Sequence, residues 1–337
     1  MTYREIIEMQ RKRLPKSRSW WPMYFYHFTD IRNALSIIEK GWIYARYKAD
    51  ETELMRSDNA SRAVLSVSSS KIKEYARLYF RPKTPTQYHN EGYKPLSARN
   101  SELNASCPVP IFFFLDAEKV LCMDGIKFSE TTCAGANDLN LLCGEDNFSK
   151  LPFEKIYHDG AFSLENRDDI VRHRQAEIVR QDGICIKDCL KGILCRTSAE
   201  KQTLLYLLKT QYPSKYKAYK DIIRCDPSLD MFYNNGIFIR SVQYDGKLSV
   251  LLNDAAKRKA YTKTETTVKC DINIYYVNPQ GNIIGRSVAS KILNYLHEKE
   301  IVIDLSDILS DFAVIEIYFD DILMYKNLIS LSTDSIM

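Results

Sequence analysis

Arg172-His173-Arg174-Gln175-Ala176-Glu177-Ile178-Val179 places a carboxylate at the mouth of an apolar run, directly after a cluster of basic residues. The charged stretch from Glu165 to Arg174 predicts a helix, and Ala176 to Arg180 predicts the opening of a strand. Glu177 then has two readings. One is an ordinary strand start at the surface, held by salt bridges. The other is a carboxylate kept to stabilise a developing cation or to take a proton. The local pattern does not choose between them.

Upstream, Tyr24-Phe25-Tyr26-His27-Phe28-Thr29-Asp30 reads as an aromatic strand, Met23 to Phe28, running into a helix over Ile31 to Lys40. Thr29 or Asp30 can cap that helix, Ile31, Ala34, Leu35 and Ile38 form its apolar face, and Gly41 stops it. His27 therefore falls at a strand end before a helix start, where ligands collect. A satisfied core histidine is the alternative. Ile72 to Phe80 is amphipathic, Val109 to Leu115 reads as a buried strand, and Ile184 to Cys195 as a short strand pair. Ser198 to Leu208 predicts a helix capped by Ser198.

The character changes around Tyr212 to Asp226, a polar, linker-like helix rich in lysine and tyrosine. Beyond it the chain reads as β. Asn235-Gly236 and Asp245-Gly246 suggest hairpin turns. Val268 to Val277 alternates strongly and turns at Asn278-Pro279-Gln280-Gly281. Ser287 to Glu298 is expected as a helix and Phe312 to Phe319 as the final strand. The expected organisation is a domain over residues 1–211 and a β-rich accessory domain over residues 212–337.

The bulk numbers set limits. The chain of 337 residues is 45% hydrophobic and 27% charged, ordinary for a globular protein. It has no uncharged apolar run of membrane-spanning length and no apolar segment near Met1, so a cytoplasmic protein that makes no membrane contact is expected. Nine cysteines are read as free thiols. Cys185, Cys189 and Cys195 lack a fourth ligand at finger spacing, so no metal is expected. The net charge of +4 is small. Its distribution is more telling. Lys71, Lys73, Arg77, Arg81 and Lys83 interleave with Tyr75, Tyr79, Phe80 and Tyr88. Such a mixture suits single-stranded nucleic acid, though a solvated face beside an aromatic core gives the same pattern.

Four stretches in order resemble the DarT family of bacterial toxins that ADP-ribosylate DNA bases. They are Tyr26-His27-Phe28-Thr29, Arg56-Ser57-Asp58-Asn59-Ala60-Ser61-Arg62, Tyr79-Phe80-Arg81-Pro82-Lys83-Thr84-Pro85-Thr86-Gln87-Tyr88, and Arg174-Gln175-Ala176-Glu177. The resemblance covers about residues 20–210. It implies an α+β ADP-ribosyltransferase fold, two packed antiparallel sheets around an NAD⁺ cleft, with the β-rich C-terminal extension added. It further implies catalytic roles for Glu177 and Arg62, with Arg56 as a substitute for Arg62. Cofactor contacts would come from His27, Thr29, Asn33, Arg62, Tyr79 and Arg81. Lys83, Thr84, Tyr88, His158 and Arg174 would line the target site. NAD⁺ would be consumed as substrate, and single-stranded DNA would accept the ADP-ribose. Single-stranded RNA, or binding without turnover, remain the alternatives. A toxin also implies a neutralising antitoxin, and possibly a chaperone, as partners.

Overall fold

The computed structural model describes residues 1–51, 70–99, 106–133, 140–258, 266–305 and 308–332. The α+β class expected from the sequence is what it contains. Two compact units emerge, and both are discontinuous along the chain. One comprises Met1–Asn90, Ile111–Leu194 and Ser228–Tyr233; the other comprises Glu91–Pro110, Cys195–Pro227 and Asn234–Met337. Such interleaving does not by itself place a single boundary of the kind expected near residue 212.

The first unit begins with helix α1 (Tyr3–Arg13), closed at its start by a capping box between Thr2 and Glu5. Strand β1 (Tyr24–Asp30) runs straight into helix α2 (Ile31–Lys40). Asp30 caps α2 by accepting the Arg32 amide, and Gly41 ends it at φ +74°. A left-handed residue at this position favours glycine because a Cβ is penalised there. The remaining strands are β2 (Trp42–Tyr44), β3 (Tyr75–Tyr79), β4 (Pro110–Asp116), β5 (Ile126–Phe128), β6 (Glu177–Gln181), β7 (Gly183–Cys185) and β8 (Leu190–Cys195). Helix α3 (Pro85–Asn90) lies between β3 and β4 in the chain, and helix α4 (Arg167–His173) between β5 and β6.

These strands form a sheet in the order β5-β6-β3-β1-β4-β8, and β2 pairs with β7 in a small second sheet. The short strand pair expected over Ile184 to Cys195 is thus divided between two sheets. Strand β4 is central, and its residues from Pro110 to Leu115 are buried, as a strand covered on both faces should be. One register row decides the site. Tyr26 lies opposite Tyr79, and Tyr79 lies opposite Glu177. Around Tyr26 an aromatic core gathers Phe112, Phe114 and Phe232.

The second unit carries helix α5 (Ser198–Gln211) and strands β9 (Ile223–Cys225), β10 (Ile239–Tyr244), β11 (Leu248–Leu252), β12 (Thr267–Val277), β13 (Ile283–Asn294), β14 (Glu300–Ile303), β15 (Phe312–Phe319) and β16 (Ile322–Ser330). The cap of α5 is Thr197 rather than Ser198, because Thr197 and Glu200 satisfy each other's backbone amides. The helix also continues beyond Leu208, to Gln211. The polar stretch after Tyr212 does form a short helix, Pro213–Tyr219. Asp245-Gly246 joins β10 to β11, as expected. Asn235-Gly236 joins no strand pair; Gly236 instead sits against Tyr93 and Gly92.

Two further expectations fail here. The helix expected over Ser287 to Glu298 is β13, which pairs with β12 from Ile283 to Asn294. The Asn278–Gly281 turn sends the chain back beside β12, and that pairing overrides local helix preference. Nor is Phe312–Phe319 the last strand. Asp320 and Asp321, both at positive φ, turn the chain into β16. This is hairpin geometry built from Asp-Asp instead of the usual Asn-Gly. No described helix is long and apolar enough to cross a membrane.

Candidate active site

Glu177 opens β6 with its side chain only 2% exposed. Its backbone is locked from the β5 side: the Glu177 amide donates to Ser129 Oγ (3.1 Å) and the Ser129 amide donates to the Glu177 carbonyl (2.9 Å). The carboxylate faces Arg77, whose Nη1 lies 3.6 Å from Oε1. Side chains two apart on a strand share a face. Arg77 therefore lies one step along β3 from Tyr79, the register partner of Glu177. Oε2 is buried and meets no hydrogen-bond donor of good geometry among the described residues. Burial pushes the Glu177 carboxyl above the usual range; Arg77 opposes this, and the thiol and amide of Cys133 oppose it more weakly. The Cys133 thiol is itself pushed up to about 12, by burial and then by Glu177.

His27 is part-buried in the middle of β1, not at the strand end expected from the sequence, because the strand runs on to Asp30. It directs Nδ1 at the Arg77 carbonyl, 3.2 Å away. A carbonyl only accepts, so Nδ1 carries the proton and Nε2 is left as an acceptor. Burial holds the imidazole at about 4, with the Arg77 charge adding to the effect and the hydrogen bond opposing it, so the ring is neutral at physiological pH. One residue thus supports both candidates, its carbonyl fixing the His27 tautomer and its guanidinium facing Glu177. Thr29 is buried, and its hydroxyl accepts from Asn33 Nδ2 (3.2 Å) across the first turn of α2. Tyr79 is half-buried beside Glu177, and burial followed by the Glu177 charge raises its phenol pKa.

The remaining sequence-expected residues divide into buried and half-buried groups. Arg81 is 1% exposed and committed to the protein. Its Nε donates to the Pro82 carbonyl (3.0 Å), Nη1 to the His158 carbonyl and Nη2 to Asp159 (2.9 Å), while its plane lies over Trp21 at 4.8 Å. Thr84 is buried and caps α3 by accepting the Gln87 amide. Both polar groups are thus engaged within the protein. Lys83 pairs with Asp230 at 2.5 Å and Tyr88 meets Tyr233 edge to face at 5.1 Å. His158 accepts from Arg174 Nη2 (2.7 Å), which also donates to the Gly160 carbonyl. Burial, then Arg174 and Arg81, lower the His158 pKa, so its ring is neutral and able to accept that bond. Arg62 and its substitute Arg56 lie outside the described residues.

Sequence reading gave no role to Ser129, Cys133 or Asp159, and named Arg77 only within the basic and aromatic cluster. Arg77 was legible in principle, since a period of two puts it on the face of Tyr79. Asp159 is adjacent to His158. Ser129 and Cys133 carry no sequence signal, because only the pairing of β5 with β6 brings them to Glu177.

Residues 26–233, more than half of the chain, match the family model described as "ssDNA thymidine ADP-ribosyltransferase, DarT". A search of the curated proteins finds no match. Among solved structures, DarT of Thermus sp. 2.9 in complex with NAD⁺ is similar at 14% identity, over 63% of this chain and 98% of that chain, with a TM-score of 0.44. The same protein in complex with carba-NAD⁺ gives 16%, 65%, 100% and 0.46. Its complex with ADP-ribosylated ssDNA gives 14%, 63%, 97% and 0.42. These structural likenesses are distant, and the match to the family model is the firmer finding.

Proposed function

Because the chain belongs to the DarT family of NAD⁺-dependent ADP-ribosyltransferases, we propose that it transfers ADP-ribose from NAD⁺ to a thymine base in single-stranded DNA, with Glu177 as the catalytic carboxylate. The observation that carries this reading is the Glu177 side chain: buried, facing the Arg77 guanidinium, and with one oxygen that meets no donor in good geometry among the described residues. Leaving such an acceptor unsatisfied costs about 1–3 kcal/mol, so a protein that keeps one has a use for it. A ribose hydroxyl or a base N–H is the donor that it lacks.

The residues present suit NAD⁺. Glu177 Oε2 and His27 Nε2 offer acceptors to ribose hydroxyls, and Tyr79 or Tyr75 offers a ring to the nicotinamide. Thr29 and Asn33 would serve the same side of the cleft, and Arg62 the pyrophosphate. NAD⁺ supplies an electrophilic ribose whose bond to nicotinamide breaks with oxocarbenium character. Glu177 would stabilise that positive charge and take the proton from the attacking base nitrogen. Lys83, Tyr88, His158 and Arg174 would contact the strand, while Arg81 and Thr84 hold the wall behind them. A single strand is the fitting acceptor because a paired base hides its edge, and unpairing costs about a few kcal/mol. A cytoplasmic location and a neutralising protein partner complete the proposal.

The test is to titrate NAD⁺ calorimetrically and to follow nicotinamide release. Wild type should bind and release, whereas Glu177→Gln should bind and release at least about 100-fold more slowly. Equal release by the two proteins would remove Glu177 from the chemistry.

A further inference from the structure

Glu177 brings a carboxyl group into the protein interior, and a guanidinium stands beside it there. Its side chain is 2% exposed, while that of Arg77, its partner across β3 and β6, is 36% exposed. The pair is therefore lopsided. The acid is dry, and the guanidinium 3.6 Å away keeps one flank in water. A pair of this kind avoids much of the desolvation penalty that two fully buried ions incur. The guanidinium faces Oε1, and Oε2 meets no hydrogen-bond donor in good geometry among the described residues.

Resting on the transfer reading above, we propose that Arg77 is a positioning residue: its guanidinium holds Glu177 ionised and occupies Oε1, leaving Oε2 as the acceptor presented to substrate. The other titratable groups facing Glu177 among the described residues cannot do this. Tyr79 on β3 and Cys133 after β5 are both neutral at physiological pH, and their pKa values are raised further by the carboxylate itself. His27 on β1 is neutral and faces the Arg77 carbonyl. Ser129 engages only the Glu177 backbone in this pairing. The burial of Glu177 would favour its protonated form, and Arg77 is the cation that opposes this. Because His27 is bound by the Arg77 backbone, substituting the Arg77 side chain leaves the His27 tautomer in place.

The experiment measures kcat/KM for nicotinamide release against pH in wild type, Arg77→Lys and Arg77→Met, with Arg77→Gln as a second neutral variant should the first misfold. A carbon-13 NMR titration of the glutamate carboxyls, with Glu177→Gln assigning the resonance, runs beside it. The neutral variants should move the acid limb and the Glu177 titration upward together by about 1–3 pH units and regain rate at high pH. Arg77→Lys should stay within about one unit of wild type. A neutral variant slowed equally at every pH, with an unmoved carboxyl titration, overturns the role. A wild type that releases no nicotinamide overturns the transfer reading instead, and the carboxyl titration still decides whether Arg77 sets the charge of Glu177.

Discussion

Asp159→Ala should destabilise the N-terminal unit more than Arg81→Met, although the two residues form one ion pair. The asymmetry comes from burial. The Arg81 side chain is 1% exposed and that of Asp159 is 33% exposed. Removing Arg81 leaves Asp159 partly hydrated and still paired with Arg18 at 3.0 Å. The loss is then the Trp21 contact and two carbonyl bonds, about 1–3 kcal/mol in all. Removing Asp159 strands a buried guanidinium among two carbonyls and an indole, with Arg174 repelling it. An uncompensated buried charge costs about 3–5 kcal/mol. The double variant should cost little more than Arg81→Met alone, because the stranded charge has gone with its partner. All three tryptophans, Trp20, Trp21 and Trp42, lie in this unit. Urea unfolding followed by tryptophan fluorescence therefore reads it selectively. Strictly additive costs, or Arg81→Met proving the more damaging of the two, would refute this reasoning.

Other outcomes follow from single residues. His27 is held at about 4 against an ordinary value of 6.5. The unfolded chain therefore binds a proton that the folded chain refuses between those values. Stability present above pH 6.5 is lost as pH falls towards 4, by at most about 3 kcal/mol. His27→Gln should lose less stability than wild type between pH 7.5 and 4.5, as measured by denaturant midpoints; parallel losses would exclude His27 as the cause. In the second unit, a Cβ on Gly92 would fall 1.8 Å from the Asn235 carbonyl oxygen, at φ +79°. Gly92→Ala should cost roughly 3 kcal/mol or more. A circular-dichroism melting curve unchanged from wild type would show that this turn relaxes freely.

Much of the site was legible because its parts are local. Glu177 begins an apolar run and opens β6, whereas His27 falls in the middle of β1 because that strand extends to Asp30 before the capped helix. Glu177 could not be told from a surface salt bridge by its own neighbours, because the deciding facts are non-local. Arg77 lies a hundred residues upstream and reaches Glu177 only through the β3–β6 register. Ser129 depends likewise on the β5–β6 pairing. Arg81 illustrates the converse. As an arginine in a motif it suggested a ligand contact, and the fold engages it with Trp21, His158 and Asp159, partners that no local pattern announces. In the C-terminal half, β13 read as a helix because Ser287 to Glu298 mixes polar and apolar residues without strict alternation. Its strand state comes from eleven register pairs with β12.

The most direct test of the central claim is to weigh nucleic acid after incubation with the protein and NAD⁺. Single-stranded DNA oligonucleotides carrying each base in turn, and their RNA counterparts, are compared with and without Glu177→Gln. The account predicts a gain of one ADP-ribose on thymine-containing DNA by wild type and none by the variant. A gain confined to RNA, modification of protein with every oligonucleotide unchanged, or equal gains from wild type and Glu177→Gln would contradict it.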